Sequence, residues 1–353
     1  MEEYKEAENP EQERNKRDEL LRRFLVSATK IDGFEGKTAE EIFNTENEQG
    51  RRELIEKLSS DGYCDLITGV NGILRGKVKE EWCMDGVGVT AAGHEARGAH
   101  IFPNHKDKKE IIVKSWEGAQ EMNAEQRDLE DIGMLLGSLL VEAHPFGDGN
   151  GRTSRFVYIM LKMGLSEEEI EKVLGEYGRE ELDMALSKTF IDPLFEKKYG
   201  RLNQGINKLN IAGIFAHDDI YASSRYGSLR FPEGVSEQTR MDIIQGGRND
   251  DNILVSAVLH FLNIHPEIDV ESSIKSYGEN RIEILQNLLL LLSKEQVDKL
   301  ASTYWDLKKQ YTEDIIDIFV HPDKPEYKVE RDGKEIRMLD YFKQRIDHKR
   351  MLY

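Results

Sequence analysis

Twelve consecutive residues carry the densest chemistry in this chain: His144, Pro145, Phe146, Gly147, Asp148, Gly149, Asn150, Gly151, Arg152, Thr153, Ser154 and Arg155. An imidazole has a pKa of about 6.5 in model peptides, so His144 can take a proton from a hydroxyl near neutral pH. The carboxylate of Asp148 is a hard oxygen ligand, suited to a Mg²⁺ that keeps most of its waters and bridges two phosphates. Gly147, Gly149 and Gly151 alternate, which lets backbone N–H groups approach an anion closely and form a concave nest. Arg152 and Arg155 lie three residues apart, on one face of a helix, and offer forked donors matched to phosphate oxygens. Phe146 reads as an apolar anchor that fixes the bend. Together these residue types describe a pocket for a metal-bound polyphosphate with a base beside it.

The flanking sequence says what must hold that pocket. Upstream, Leu129, Ile132, Leu136, Leu139, Leu140 and Ala143 recur at helical spacing, which predicts a buried helix over roughly 124–143. Downstream, Phe156, Val157, Ile159, Met160 and Leu161 continue as a second apolar helix. The segment therefore joins two core helices and ends at a helix N-terminus, where free N–H groups and the positive end of the macrodipole favour an anion. Other phosphate motifs fit badly. No Gly-Lys-Ser/Thr follows the glycines, the spacing differs from the dinucleotide fingerprint, and the alternating acidic ligands of a calcium loop are missing.

The run resembles the signature of the Fic family, His-x-Phe-x-Asp/Glu-Gly-Asn-Gly-Arg-x-x-Arg, at every defined position from His144 to Arg155. The resemblance implies a compact, mainly α core with a short β-hairpin flap, and transfer of AMP from ATP to a protein hydroxyl. It implies His144 as general base toward a Ser, Thr or Tyr hydroxyl and Asp148 as the Mg²⁺ ligand. Gly149, Asn150 and Gly151 would form the anion hole for the α- and β-phosphates, Arg152 would hold the leaving pyrophosphate, and Arg155 the γ-phosphate. Related kinases carry a lysine in the second half of the loop. Gly151 stands here instead, which favours nucleotidyl transfer. The same scaffold could carry UMP, GMP or phosphocholine, or bind nucleotide without catalysis as an interaction protein. An intact His144 speaks against the last.

Many members of that family are restrained by a Ser/Thr-x-x-x-Glu-Gly/Asn helix whose glutamate pairs with the second motif arginine. The near match here is Thr45-Glu46-Asn47-Glu48-Gln49-Gly50, with Gln49 where the glutamate would stand. A neutral amide pairs with a guanidinium less strongly than a carboxylate does. The expectation is that no intact internal inhibitor is present and that a separate inhibitory partner could serve.

The rest of the chain divides by pattern into a charged helical extension over 1–50, a catalytic core over 51–200 and a mostly helical accessory part over 201–353. Residues 51–75 read as core helices broken at Asp61-Gly62. The stretch Asn71–Gly76, with Gly72 and Arg75, loosely resembles the turn that precedes the flap in Fic proteins. Over 85–115 helical periodicity fades and glycines accumulate, which predicts a short hairpin. By resemblance Ile101 and Phe102 would clamp the target there as an added strand. A helix follows over about 109–122. Ser166 opens a capped helix, and a helix over 180–190 closes the core. Leucine-rich helical patterns fill 252–320, and Tyr327-Lys328-Val329 with Asp332-Gly333 predicts a hairpin before a last helix.

Composition fits a soluble globular protein, with 39% hydrophobic and 33% charged residues among 353. The formal net charge of −18 disfavours nonspecific binding to nucleic acid or anionic membrane, and makes a local arginine cluster stand out. Two cysteines, Cys64 and Cys83, point to a reducing compartment. No leucine run is long enough for a membrane span. Met1–Lys5 lacks a basic stretch leading into an apolar one, so a cytoplasmic location is expected, and a secretion signal that is not cleaved would leave no such mark.

Overall fold

The structure is a computed structural model that describes residues 48–75, 88–89, 100–101, 105–164, 226–249, 251–268, 281–331 and 333–350. It is mainly helical. Helices α1 (Glu48–Lys57), α2 (Ser60–Leu74), α3 (His105–Ala124), α4 (Leu129–Ala143) and α5 (Asn150–Met163) come first, with strands β1 (Gly88–Val89) and β2 (His100–Ile101) between α2 and α3. After them come α6 (Glu237–Asn249), α7 (Asp251–Ile264), α8 (Arg281–Leu291), α9 (Lys294–Val320), strands β3 (Lys328–Arg331) and β4 (Lys334–Arg337), and α10 (Met338–Arg350).

α4 and α5 form an antiparallel pair with the His144–Arg155 stretch at their junction. They approach closely at Gly133, where a Cβ would sit 3.0 Å from the carbonyl oxygen of Tyr158. Glu130 then fastens the pair, accepting from Lys162 Nζ at 2.6 Å and Tyr158 Oη at 3.1 Å. α3 and α4 are the two separate helices expected, but α4 begins at Leu129 rather than at 124. Gln126, at φ 59, turns the chain, and Asp128 caps α4 by accepting from the N–H of Glu130 at 2.9 Å.

α3 carries α1 and α2. Trp116 donates its indole N–H to the carbonyl of Leu58 at 2.9 Å, and Gln120 donates to the carbonyls of Ile55 and Leu58 at 3.0 Å each. These donors satisfy carbonyls that a helix end leaves without partners. Tyr63 stacks on Trp116 with ring centres 4.2 Å apart, which anchors α2. The break between α1 and α2 falls earlier than Asp61-Gly62. Ser59 is the N-cap, its hydroxyl accepting from the N–H of Gly62 at 3.1 Å, so Asp61 and Gly62 lie in the first turn of α2.

β1 and β2 pair antiparallel, Gly88 opposite Ile101 and Val89 opposite His100. The expected hairpin is thus present, and the helix expected over about 109–122 is α3, which begins earlier, at His105. The backbone of β2 runs beside α6. α9, capped by a reciprocal Ser293–Gln296 box, lies against α3, α4 and α7. It meets α3 at Gly118, where a Cβ would come 3.1 Å from both Ile316 Cγ2 and Val320 Cγ2. Lys343 of α10 pairs with Asp131 of α4. The expected C-terminal hairpin is β3–β4, with Gly333 at φ 72 in its turn. No helix among the described residues is long and apolar enough to cross a membrane. The expected helices at Ser166 and over 180–190 lie outside the described residues.

Candidate active site

α4 ends because His144 adopts the left-handed conformation, φ 46 and ψ 56, while its N–H still donates to the carbonyl of Leu140 at 3.0 Å. Left-handed backbone at a residue other than glycine costs about 1–2 kcal/mol. Such outliers persist where the surroundings over-determine them. The His144 side chain is half-buried. Phe146 is 1% exposed and anchors the bend in the core.

Asn150 locks the bend. Its Nδ2 donates to the carbonyl of Phe146 at 2.7 Å, and its Oδ1 accepts from the N–H of Phe146 at 3.0 Å. The side chain is buried and engaged in this grip, so what Asn150 can offer a ligand is its backbone N–H. Thr153 and Ser154 turn inward as well, their hydroxyls donating to the carbonyls of Gly149 and Asn150 at 3.0 and 2.8 Å.

Gly149 is the N-cap of α5 at φ 80, with no side-chain cap bond. The N–H groups of Asn150, Gly151 and Arg152 therefore open α5 without intrahelical acceptors. The three glycines do not share one role. Only Gly149 among them has a positive φ, and a Cβ there would lie 2.9 Å from Asn71 Nδ2 and 3.2 Å from Arg75 Cδ. A Cβ on Gly147 would meet nothing within 4 Å, and one on Gly151 would meet Arg155 Nη1 at 3.5 Å. Gly147, Asp148 and Gly151 are exposed, so the mouth of the helix end is open.

Charge gathers at that mouth. Asp148 Oδ1 accepts from the N–H of Gly149 at 2.7 Å, and Oδ2 lies 3.8 Å from Arg152 Nη2. It also lies 3.4 Å from Nε of Arg75, the C-cap residue of α2. Arg155 is 8% exposed and extends along α5 beneath Gly151. The Asp148 side chain is 62% exposed, so an accessible carboxylate oxygen stands beside donors suited to phosphate. That arrangement fits a Mg²⁺ held by one protein carboxylate and phosphate oxygens.

Two residues of α2 belong to this site. Asn71, fully buried, donates from Nδ2 to the carbonyl of Asp148 and to Thr153 Oγ1, both at 3.0 Å. The sequence reading placed Asn71 and Arg75 only in a turn before the flap. Their i, i+4 spacing puts them on one helix face, but nothing local says which helix that face meets.

The remaining expected positions are distributed as follows. Ile101 lies on β2, and Phe102 lies outside the described residues. Of the near-inhibitory stretch, Glu48–Gly50 open α1. Gln49 is exposed, and Glu48 pairs with Arg52, which donates in turn to Asn123 and to the carbonyl of Arg127. A groove of about 420 Å³ lies between α3 and α9 and includes Lys114, Glu117, Glu121 and Glu313 in its walls. None of the glycine-rich stretch lines it, so it is not the phosphate site.

Residues 66–161 match the family described as Fic/DOC. No curated protein and no solved structure matches the chain.

Proposed function

Residues 66–161 are a Fic/DOC-family domain, of a family that transfers nucleotidyl or phospho-groups to proteins, and from that premise we propose that this chain transfers AMP from ATP to a Ser, Thr or Tyr hydroxyl of a target protein, releasing pyrophosphate. The observation that carries this reading is the locked bend. Asn150 grips Phe146 at both backbone polar atoms, which leaves Gly147, Asp148 and Gly151 exposed at an open helix N-terminus flanked by Arg152 and Arg155.

In this mechanism the target hydroxyl oxygen attacks the α-phosphorus and its proton passes to the His144 imidazole. The bond from the α-phosphorus to the oxygen bridging the β-phosphate breaks, and pyrophosphate leaves with the electron pair. The first-turn N–H groups of α5 donate to the phosphate oxygens, and Arg152 and Arg155 neutralise the charge that builds on the leaving group. Asp148 is the residue that would hold Mg²⁺, which when bound screens the negative phosphate oxygens. In this reading an extended target segment would add as a strand to the β1–β2 pair.

The test uses the purified chain, Mg²⁺, a protein lysate, and ATP labelled separately at the α- and γ-phosphates. Transfer of the α-label to protein, lost about a hundred- to ten-thousandfold in His144→Ala, supports the reading. Transfer of the γ-label alone, or equal labelling by His144→Ala, overturns it. Competition by UTP, GTP, CTP or CDP-choline identifies a different donor if one outcompetes ATP.

A further inference from the structure

We propose that Asn71, on α2 and 77 positions before Asp148, is a positioning residue: by holding the Asp148–Gly149 peptide it orients the Asp148 carboxylate, the group that would hold the metal of a metal–polyphosphate ligand. The inference rests on the functional reading above and deepens it by saying what sets the strength of metal binding there.

Asn71 is 0% exposed, with Ile67, Val70 and Leu74 buried around it on α2. Both hydrogens of its side-chain amide are committed, since Nδ2 donates to the Asp148 carbonyl and to Thr153 Oγ1, each at 3.0 Å. A carbonyl oxygen only accepts, so the nitrogen must be the amide atom that faces the loop. Oδ1 is equally buried and has no hydrogen-bond partner among the described residues. A buried oxygen in that state costs stability, so stability alone does not account for an amide at this position.

The grip passes through a rigid unit. A trans peptide is planar, with its C=O and N–H pointing in opposite directions. Fixing the Asp148 oxygen therefore fixes the N–H of Gly149. That N–H donates to Asp148 Oδ1 at 2.7 Å, whereas Arg75 Nε and Arg152 Nη2 stand 3.4 and 3.8 Å from Oδ2. The short bond is the one that sets the direction of the carboxylate, and Asn71 holds the peptide that makes it.

The anion-binding end of α5 depends on Asn71 less directly. The Gly149 carbonyl accepts the N–H of Thr153 at 2.9 Å, in the ordinary helical pattern, and the Thr153 hydroxyl at 3.0 Å. The peptide that carries the Asn150 N–H is thus held by α5 itself. The Asp148 carbonyl takes its hydrogen bond from Asn71, with no second donor among the described residues. Loss of the amide frees the carboxylate before it disturbs the helix end.

The alternative is that Asn71 only packs α2 against the loop, and metal dependence separates the two. Binding of inorganic tripolyphosphate to the full chain is measured by calorimetry, once with Mg²⁺ and once with a chelator in its place. In Asn71→Leu the loss of affinity is about tenfold or more greater with Mg²⁺ than without it, as when a group that orients a metal ligand is removed. In an Asp148→Asn background the same substitution produces no such difference, because the carboxylate it acts through is gone. Asn71→Ala carries the test should the leucine variant fail to fold. Equal losses with and without Mg²⁺, no loss in a folded variant, or the full difference persisting beside Asp148→Asn overturns the positioning role and leaves the functional reading standing. Wild-type protein that binds tripolyphosphate with no response to Mg²⁺ overturns the positioning role together with the metal assignment of Asp148. Wild-type protein that binds no tripolyphosphate under either condition overturns the functional reading as well.

Discussion

Replacing each loop glycine by alanine separates three positions that look alike in the sequence. Gly149→Ala forces a side chain onto φ 80, which costs about 1–2 kcal/mol. Its Cβ would also sit 2.9 Å from Asn71 Nδ2, closer than real contacts allow. Asn71 must then move off two bonds, to the Asp148 carbonyl and the Thr153 hydroxyl, each worth about 0.5–1.5 kcal/mol. The sum is a destabilisation of about 2–5 kcal/mol, a large part of the roughly 5–15 kcal/mol that holds a folded protein. Gly147→Ala meets open space, and its effect stays within about 0.5 kcal/mol. Gly151→Ala makes an ordinary 3.5 Å contact with Arg155 Nη1, and the helix propensity of alanine offsets it. Urea denaturation followed by circular dichroism ranks the three. Equal losses at Gly147 and Gly149, or a Gly149 variant as stable as wild type, would refute the placement of α2 against the loop.

Three further outcomes follow from particular contacts. Lys308 of α9 pairs with Glu142 at 3.3 Å with side-chain exposures of 6% and 18%, so Lys308→Met strands a largely buried carboxylate and costs about 2–4 kcal/mol, while Lys308→Met with Glu142→Gln recovers most of it in a double-mutant cycle. Burial pushes the Cys64 thiol up to about 11, so alkylation mapped by mass spectrometry leaves the Cys64 peptide unmodified at pH 8 until the chain is unfolded. Burial alone would raise the Asp317 carboxyl, but the Lys324 ammonium and the Tyr327 hydroxyl outweigh it and hold it below its ordinary range. A carboxyl with a depressed folded pKa contributes stability that is present above its unfolded value, near 3.9, and lost as pH falls through the folded value, so Asp317→Asn flattens the acid limb of a stability profile below about pH 4.

The candidate site was legible as a stretch because its residues are consecutive. The candidate residues His144, Asp148, Asn150, Arg152 and Arg155 stand within one twelve-residue run, and the apolar periodicity on either side named the helices that hold it. The C-terminal hairpin was legible for the same reason, since Asp332-Gly333 between short strand-forming runs is a local signal. What was not legible depends on contacts between distant segments. Asn71 reaches Asp148 across 77 positions, and no turn residue or period announces that. The glycines illustrate the other limit: sequence gives three equivalent freedoms, whereas the structure uses left-handed backbone at Gly149 and places another left-handed residue, His144, outside the glycines. The break before α2 was misplaced because Asp61-Gly62 looks like a turn, while Ser59 two residues earlier caps the helix and absorbs both into it.

The strained end of α4 explains why so much structure converges on a six-residue bend. A left-handed histidine costs about 1–2 kcal/mol that the local chain does not return. The Leu140 carbonyl holds its N–H from inside α4, and Asn150 holds Phe146, two residues onward, at both backbone atoms. From behind, Lys308 of α9 grips Glu142, two residues before the histidine, in a pair that water reaches poorly. From the front, Asn71 of α2 fixes the Asp148 carbonyl. Each contact alone is small, but they arrive from four helices and act on positions either side of one imidazole. In the proposed reaction, a base that meets a hydroxyl and a phosphorus in line gains from a fixed backbone, because misplacement by about an ångström can cost a hundredfold in rate. In that proposed reaction the contribution of the late helix α9 would be to hold the end of α4 through the Lys308–Glu142 pair.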